Sequence, residues 1–210
     1  MYGNSATLNG EYILLDTSAA SPLNNISIIE ILSRGNEGFD ELSYGDLEIH
    51  TNMLESLLNI LREKNVGVIM EVCQEIHERY SIISKQISHI GKNSCKKDRE
   101  KIKRLQRYSE LLYLFDQKTS FKEPRDSFSD SKQALYEKVL YIARFRSRDL
   151  LEQSLQSREK VPMGAILETD LHLTSTLITL AYEEPVSLLY NDFGMHKLVK
   201  RVHQSIDTGQ

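Results

Sequence analysis

The sequence predicts an α/β fold, a three-layer α/β/α sandwich in which helices cover both faces of a central parallel sheet. Short continuous apolar runs alternate with amphipathic helical patterns near both ends of the chain, and a long helical segment separates the two ends. Such apolar runs are typical of strands that are buried on both faces. We therefore expect one domain over residues 1–210, with an α/β core at 11–87 and 165–205 and an inserted helical hairpin at about 92–160.

The apolar pattern of the first half predicts two buried strands, each followed by helices. The first strand ends at Asp16, and the small and polar residues after it are typical of a turn. In chain order, we expect a strand at 12–15, a helix capped by Asn24 or Asn25 and ended by Gly35, a helix at 46–64, a strand at 66–70 and a helix at 71–86.

The second half begins with a basic helical segment and returns to a strand only near its end. A polar connection between Asp116 and Ser131 separates the two helices that we expect to form the hairpin. In chain order, we expect a basic helix from 96 to about 115, a helix at 131–156, a helix that starts at Thr169 or Asp170, a strand at 186–190 and an amphipathic helix at 195–206.

Composition excludes several classes of protein. The chain has 26 basic and 30 acidic side chains and a formal net charge of -4, so it does not coat nucleic acid through its total charge. Its two cysteines cannot form a disulfide framework, and their spacing indicates no zinc site. We expect no secretion signal and no membrane association, because no apolar run approaches the ~20 residues of a membrane span. A cytoplasmic location is the expectation.

Acidic side chains follow two of the predicted strands. Asp16 ends the first strand, Asp192 ends the last, and Asp170 opens the helix before the last strand. Ligands of parallel α/β folds bind beyond the carboxyl ends of the strands. Each acid alone has a plainer interpretation as a helix cap, a turn residue or a solvated residue. Together at one edge they would repel one another unless cations neutralised them, which predicts a metal site.

Four segments, LLDTSAA, IMEVCQEI, ETDLHLTSTLITLA and LLYND, together resemble the ordered motifs of the PIN-domain nucleases. The resemblance implies a Rossmann-like α/β/α sandwich whose acid cluster binds Mg²⁺ or Mn²⁺ and hydrolyses phosphodiesters, usually of RNA. It implies that the catalytic and metal-binding residues are Asp16, Glu75, Asp170 and Asp192, supported by the polar residues Thr17, Ser18 and Asn191.

Glu75 fits the helix glutamate of that family better than Glu71 does. A hydrophobic residue usually precedes that glutamate by three positions and an aliphatic residue follows it, as Val72 and Ile76 do here. One or two divalent ions would activate water and stabilise charge on the phosphate. Glu75 would then complete the coordination or accept a proton from the attacking water. The hydroxyl groups that follow the first acid would orient water.

An acidic site repels a polyanionic substrate, so a positive surface is expected near it. Basic side chains cluster at 96–107, opposed only by Asp98 and Glu100, and we interpret them as contacts to the phosphate backbone, with the three arginines of 144–148 as support. The alternative is a solvated helix face with paired charges. The seven basic residues are Lys96, Lys97, Arg99, Lys101, Lys103, Arg104 and Arg107.

The function that this pattern predicts is a metal-dependent ribonuclease acting on single-stranded or structured RNA, with DNA as the less favoured substrate. The alternative is a catalytically silent PIN-like scaffold that binds a protein or RNA partner through the helical insertion. Members of the family that the sequence resembles commonly dimerise, so a homodimer is a further expectation.

Overall fold

The computed structural model of the chain describes residues 12–20, 31–32, 34–62, 65–93, 98–120, 122–157, 167–190 and 193–208. Most of the helix predicted after Asn24 or Asn25 lies outside the described residues, and the two of its positions that are described, 31 and 32, are helical. Four of the predicted site residues also lie outside them, namely Lys96, Lys97, Asn191 and Asp192.

Helices account for most of the described residues, with three short strands among them. The strands are β1 (Tyr12–Leu15), β2 (Val66–Gly67) and β3 (Val186–Leu189). None of the described helices is long and apolar enough to cross a bilayer. The helices are α1 (Asn36–Glu41), α2 (Tyr44–Ile60), α3 (Met70–Asn93), α4 (Arg99–Thr119), α5 (Asp130–Ser157), α6 (Glu168–Ala181) and α7 (Phe193–Thr208), with 3₁₀ turns at Thr17–Ala20 and Pro124–Ser127.

The predicted three-layer α/β/α sandwich is wrong, because the sheet is too small to form the centre of one. Its three short parallel strands have the order β2-β1-β3, and Ile13 of β1 lies opposite Val66 of β2. β3, at one edge of this sheet, is only half-buried along its length, whereas the strands of a parallel sheet covered by helices on both faces are buried. Most of the buried apolar side chains lie on helices, so packing between helices forms most of the core.

Contacts within the chain divide it into two compact units. The sheet unit comprises the described residues of Met1–Leu14, Asn65–Gly67 and Pro124–Gln210, and the helical unit those of Leu15–Lys64 and Val68–Glu123. This division separates the two helices that were predicted to form one hairpin. α4 packs against α2 and α3 in the helical unit, and α5 packs against α6 and α7 in the sheet unit.

The core of the sheet unit forms between three amphipathic helices. Val139 and Ala143 are four residues apart on α5, so they lie on one face of the helix, and both are fully buried. They belong to one cluster with Leu198 and Val202 of α7, which have the same spacing. β3 packs against α6 in the same unit.

The helical unit is built in the same way from α2, α3 and α4. Ile76, Ile83 and Ile90 recur at seven-residue intervals on α3 and are all buried, as expected for one stripe of a helix. Phe115 of α4 is fully buried, and α4 packs against both other helices. This arrangement fixes α3, on which Glu75 lies.

Candidate functional site

Asp16 is the first residue after β1, and its side chain is buried in the helical unit. A 3₁₀ turn follows it, in which the Ala19 N–H donates to the Asp16 carbonyl at 3.1 Å. The Ser18 N–H donates to Oδ2 of Asp16 at 3.2 Å, and the Ser18 hydroxyl donates to the same oxygen. The turn therefore holds the Asp16 carboxylate in a defined position.

Burial is the main influence on the charge of Asp16. It raises the pKa of this carboxyl above its usual range, because loss of water disfavours the charged form. Hydrogen bonds from Ser18 and from the Thr17 backbone lower the pKa, while the negative charge of Glu75 raises it further. The net effect is upward. Ionised Asp16 is therefore poorly solvated and lies in the field of a second acid.

Glu75 is half-buried on α3, one turn after Glu71. α3 packs against the 3₁₀ turn that follows Asp16, which brings Glu75 within electrostatic reach of the Asp16 carboxyl. Val72 and Ile76 on the same helix are buried and anchor this part of α3 in the core. Asp16 and Glu75 are thus two predicted site residues that the structure brings together.

The hydroxyl of Thr17 is buried next to Asp16 in the chain and has no hydrogen-bond partner among the described residues. An unsatisfied buried hydroxyl costs roughly 1–3 kcal/mol, so it calls for an explanation. Carboxylate oxygens and a hydroxyl group are what a partly hydrated Mg²⁺ or Mn²⁺ ion prefers. The chemistry of Asp16, Glu75 and Thr17 therefore fits a divalent cation.

Asp170 belongs to the sheet unit and stabilises the start of α6. Its Oδ2 accepts a hydrogen bond from the Leu167 N–H at 2.7 Å, and its own N–H donates to the Leu167 carbonyl at 3.0 Å. This is the helix-capping role that the plainer interpretation assigns to the residue. Among the described residues, no three His, Cys, Asp or Glu side chains form a group that could hold a metal ion.

Lys101, which the sequence placed among the contacts to nucleic acid, is a buried residue of the helical unit. Only 7% of it is exposed. Its Nζ donates to the Asp40 carbonyl at 3.2 Å and lies 4.8 Å from the centre of the Phe39 ring. The charge of Lys101 is therefore satisfied inside the protein, by a carbonyl dipole and an aromatic face.

Two arginines of the same basic segment form ion pairs with α2. Arg104 lies 3.7 Å from Glu48, and Arg107 lies 3.2 Å from Glu55. These pairs match the alternative interpretation of a helix face with paired charges, and such exposed pairs add little stability. Arg99 and Lys103 are exposed.

The structure also contains a pair of titratable side chains that the sequence pattern did not reveal. Nδ1 of His77 on α3 lies 3.1 Å from Oδ2 of Asp116 on α4, and the Asp116 side chain is buried. Asp116 continues the buried stripe of Tyr108 and Leu112 at four-residue spacing. A buried acid requires a hydrogen-bond or charge partner. The place of Asp116 in an otherwise apolar stripe was therefore the one sequence signal that pointed to such a partner.

His77 also lines a cavity of about 300 Å³ in the helical unit. Burial raises the pKa of the Cys73 thiol in this cavity to about 11, so the thiol is protonated at neutral pH and a poor nucleophile. The cavity thus presents an imidazole oriented by a carboxylate, without a reactive thiolate. Its lining residues are Met70, Cys73, Gln74, His77, Glu78, Ser120 and Glu123.

Comparisons of the chain with models of protein families, with curated proteins and with solved structures found no match.

Proposed function

We propose that this protein is a divalent-metal-dependent nuclease that hydrolyses phosphodiester bonds, with RNA favoured over DNA as the substrate. The observation that supports this most strongly is the buried Asp16 carboxylate, held by its own turn within the field of Glu75. Two acids in this arrangement repel each other, and a divalent cation between them would offset the repulsion.

Asp16 and Glu75 would hold Mg²⁺ or Mn²⁺ through carboxylate oxygens. When bound, the ion supplies a Lewis acid that activates water and stabilises charge on the phosphate. The Thr17 hydroxyl would donate a hydrogen bond to a water molecule or a phosphate oxygen, which would satisfy it. Ser18 would keep Asp16 in place, and Glu75 would accept a proton from the attacking water.

Asp170 and Asp192 enter the proposal on the sequence resemblance alone. The Oδ2 atom of Asp170 accepts the capping hydrogen bond from the Leu167 N–H, so the structure gives this carboxylate a structural role at the start of α6. Variants of these two acids therefore test the resemblance, whereas variants of Asp16 and Glu75 test the geometry. The two groups of variants are best measured side by side.

The second candidate function is a catalytically silent scaffold that binds a protein or RNA partner. The observation that favours it is that only two of the predicted acids come together within the described residues, where no set of three metal-binding side chains is found. A scaffold needs no divalent ion, so the two candidates predict different results in one assay.

The test is cleavage of end-labelled single-stranded RNA and DNA by the purified protein in Mn²⁺, in Mg²⁺ and in chelator. We expect cleavage that requires the metal ion. We expect Asp16→Asn and Glu75→Gln each to lower the rate by at least about 10- to 100-fold, since changing even the partners that orient metal ligands costs that much.

The matched control is Asp116→Asn, which changes an equally buried acid of the same unit whose partner is His77. It should retain the wild-type rate. If the wild type fails to cleave any substrate with either ion, the scaffold is the better account. If Asp16→Asn cleaves as fast as the wild type, the activity has another source and the proposal is wrong.

A further inference from the structure

Two aromatic side chains lie exposed on the outer face of α5. Tyr141 is 75% exposed and Phe145 is 53% exposed. They are four residues apart, so they are neighbours on one face of the helix, about 6 Å apart along its axis. Two adjacent aromatic groups in this position expose apolar surface to water, and contiguous exposed apolar surface often marks a binding site.

The fold does not account for these two rings. The opposite face of α5 supplies Tyr136, Val139 and Ala143 to the core of the sheet unit, and these residues are buried. α5 can therefore pack against α6 and α7 without Tyr141 or Phe145. Their exposed area indicates a surface that meets something outside this unit.

Positive charges lie one turn before and one turn after the aromatic pair. Lys138 is three residues before Tyr141, Arg148 is three residues after Phe145, and both are exposed. Within the described part of the chain, neither has an ion-pair partner. We call Lys138, Tyr141, Phe145 and Arg148 the aromatic stripe. It covers about 15 Å of helix.

A third basic residue holds the Phe145 ring in place. The guanidinium of Arg146 lies 5.4 Å from the centre of that ring. Arg146 is itself fixed, because its Nε donates to the Ser205 hydroxyl at 2.7 Å and its Nη1 lies 3.0 Å from Asp149. The edge of the stripe is therefore preorganised, which lowers the entropic cost of stacking another flat group on it.

We propose that the aromatic stripe binds single-stranded nucleic acid. Bases would stack on Tyr141 and Phe145, and phosphates would pair with Lys138 and Arg148. Two neighbouring rings flanked by two cations complement a single strand, whose bases can stack on the rings while its phosphates reach the cations. Duplexes are disfavoured, since their bases are already stacked on each other. The inference rests on the proposed nuclease function only in naming single strands as its substrate class.

Binding is measured by fluorescence anisotropy with labelled single-stranded RNA and single-stranded DNA, in chelator so that no cleavage occurs. We expect Tyr141→Ala and Phe145→Ala each to weaken binding by about 5- to 150-fold, the range for the loss of one stacked base. Tyr141→Phe should bind like the wild type. Tyr182→Ala is the matched control, because Tyr182 is a 70% exposed tyrosine of the same unit outside the stripe.

The salt dependence separates stacking from charge. The double variant Lys138→Gln/Arg148→Gln should reduce the slope of log affinity against log salt by about 1.4, because each phosphate contact on a single strand contributes about 0.7. The two aromatic variants should keep the wild-type slope. Circular dichroism checks that every variant is folded.

The proposal is overturned if the wild type does not bind single strands or if the aromatic variants bind them as well as the wild type. It is also overturned if those variants only convert a dimer to a monomer in sedimentation, since the stripe would then join two copies of the chain. Binding in chelator without cleavage in Mn²⁺ would contradict the nuclease function and leave the stripe intact. Metal-dependent cleavage by the wild type, together with aromatic variants that bind as tightly as the wild type, would support the nuclease function and overturn the proposal for the stripe.

Discussion

Ionised Asp16 opposes folding when no cation is present. Burial and Glu75 raise its pKa in the folded protein above the value of 3.8 for an unperturbed aspartate. The folded state therefore binds the proton more tightly than the unfolded state does. Stability that is present below pH 3.8 is lost as the pH rises through the folded pKa, and the loss is complete above it.

We therefore expect Asp16→Asn to unfold at a higher temperature than the wild type at pH 7 in chelator. The asparagine carries no charge and its oxygen can still accept the hydrogen bonds of Ser18. The advantage should shrink as the pH falls through the raised pKa of Asp16 toward 3.8, because protonation removes the buried charge. Thermal unfolding followed by circular dichroism across this range measures the difference.

Asp46 provides a control with the opposite sign. The Ser43 hydroxyl donates to its carboxylate at 2.6 Å at the start of α2, and this bond lowers the pKa of Asp46. Asp46→Asn should therefore reduce stability at pH 7, and the loss should shrink in acid. If Asp16→Asn also reduces stability at pH 7, the conclusion that burial makes the ionised Asp16 carboxylate unfavourable is contradicted.

Among the helices, α4 shows that basic residues two positions apart in one segment can have unrelated roles. Lys101 buries its stem and places its Nζ over Phe39, whereas Lys103 is exposed on the same helix. Spacing within the helix determines which one faces α1 and α2.

We expect Lys101→Ala to lower the free energy of unfolding by about 1–2 kcal/mol, through lost packing of the stem and a lost cation–π contact. Lys103→Ala should change it by less than about 0.5 kcal/mol, as is usual for an exposed position. Urea denaturation measures both values. Equal effects of the two substitutions would show that Lys101 is not a structural residue.

The sequence predicted the elements whose cause is local. β1 forms at Tyr12–Leu15, where it was expected, because the apolar run and the turn after it are adjacent in the chain. β2 was expected to reach Met70 but ends at Gly67, and Met70 begins α3. The Met70 N–H donates to Oε2 of Glu123 at 2.5 Å, a partner 53 residues away that no local pattern reveals.

The resemblance placed Asp16 and Glu75 in one acid cluster, and the structure puts Glu75 within electrostatic reach of Asp16. The pairing of His77 with Asp116 was not predictable in that way, because it depends on how α3 packs against α4. The size of the sheet was missed for a related reason. A short apolar run predicts a strand, but it does not determine how many strands pair or how many residues of each strand take part in the pairing.

For the whole molecule, the net charge of -4 does not show how the charges are distributed locally. Glutamates of α2 neutralise part of the basic charge of α4, and the two acids near the 3₁₀ turn remain without a cationic partner among the described residues. A phosphodiester brought close to these two acids would be repelled until a cation bound there. This requirement links its charge to its proposed function.

The most direct test of the central claim, that Asp16 and Glu75 hold a divalent cation, is the shift in unfolding temperature on adding Mn²⁺ at pH 7. We predict that a concentration 100-fold above the dissociation constant raises the wild-type unfolding temperature by roughly 5–10 °C. Asp16→Asn and Glu75→Gln should show little or no rise. An equal rise in the wild type and both variants, or none in the wild type, would contradict the claim.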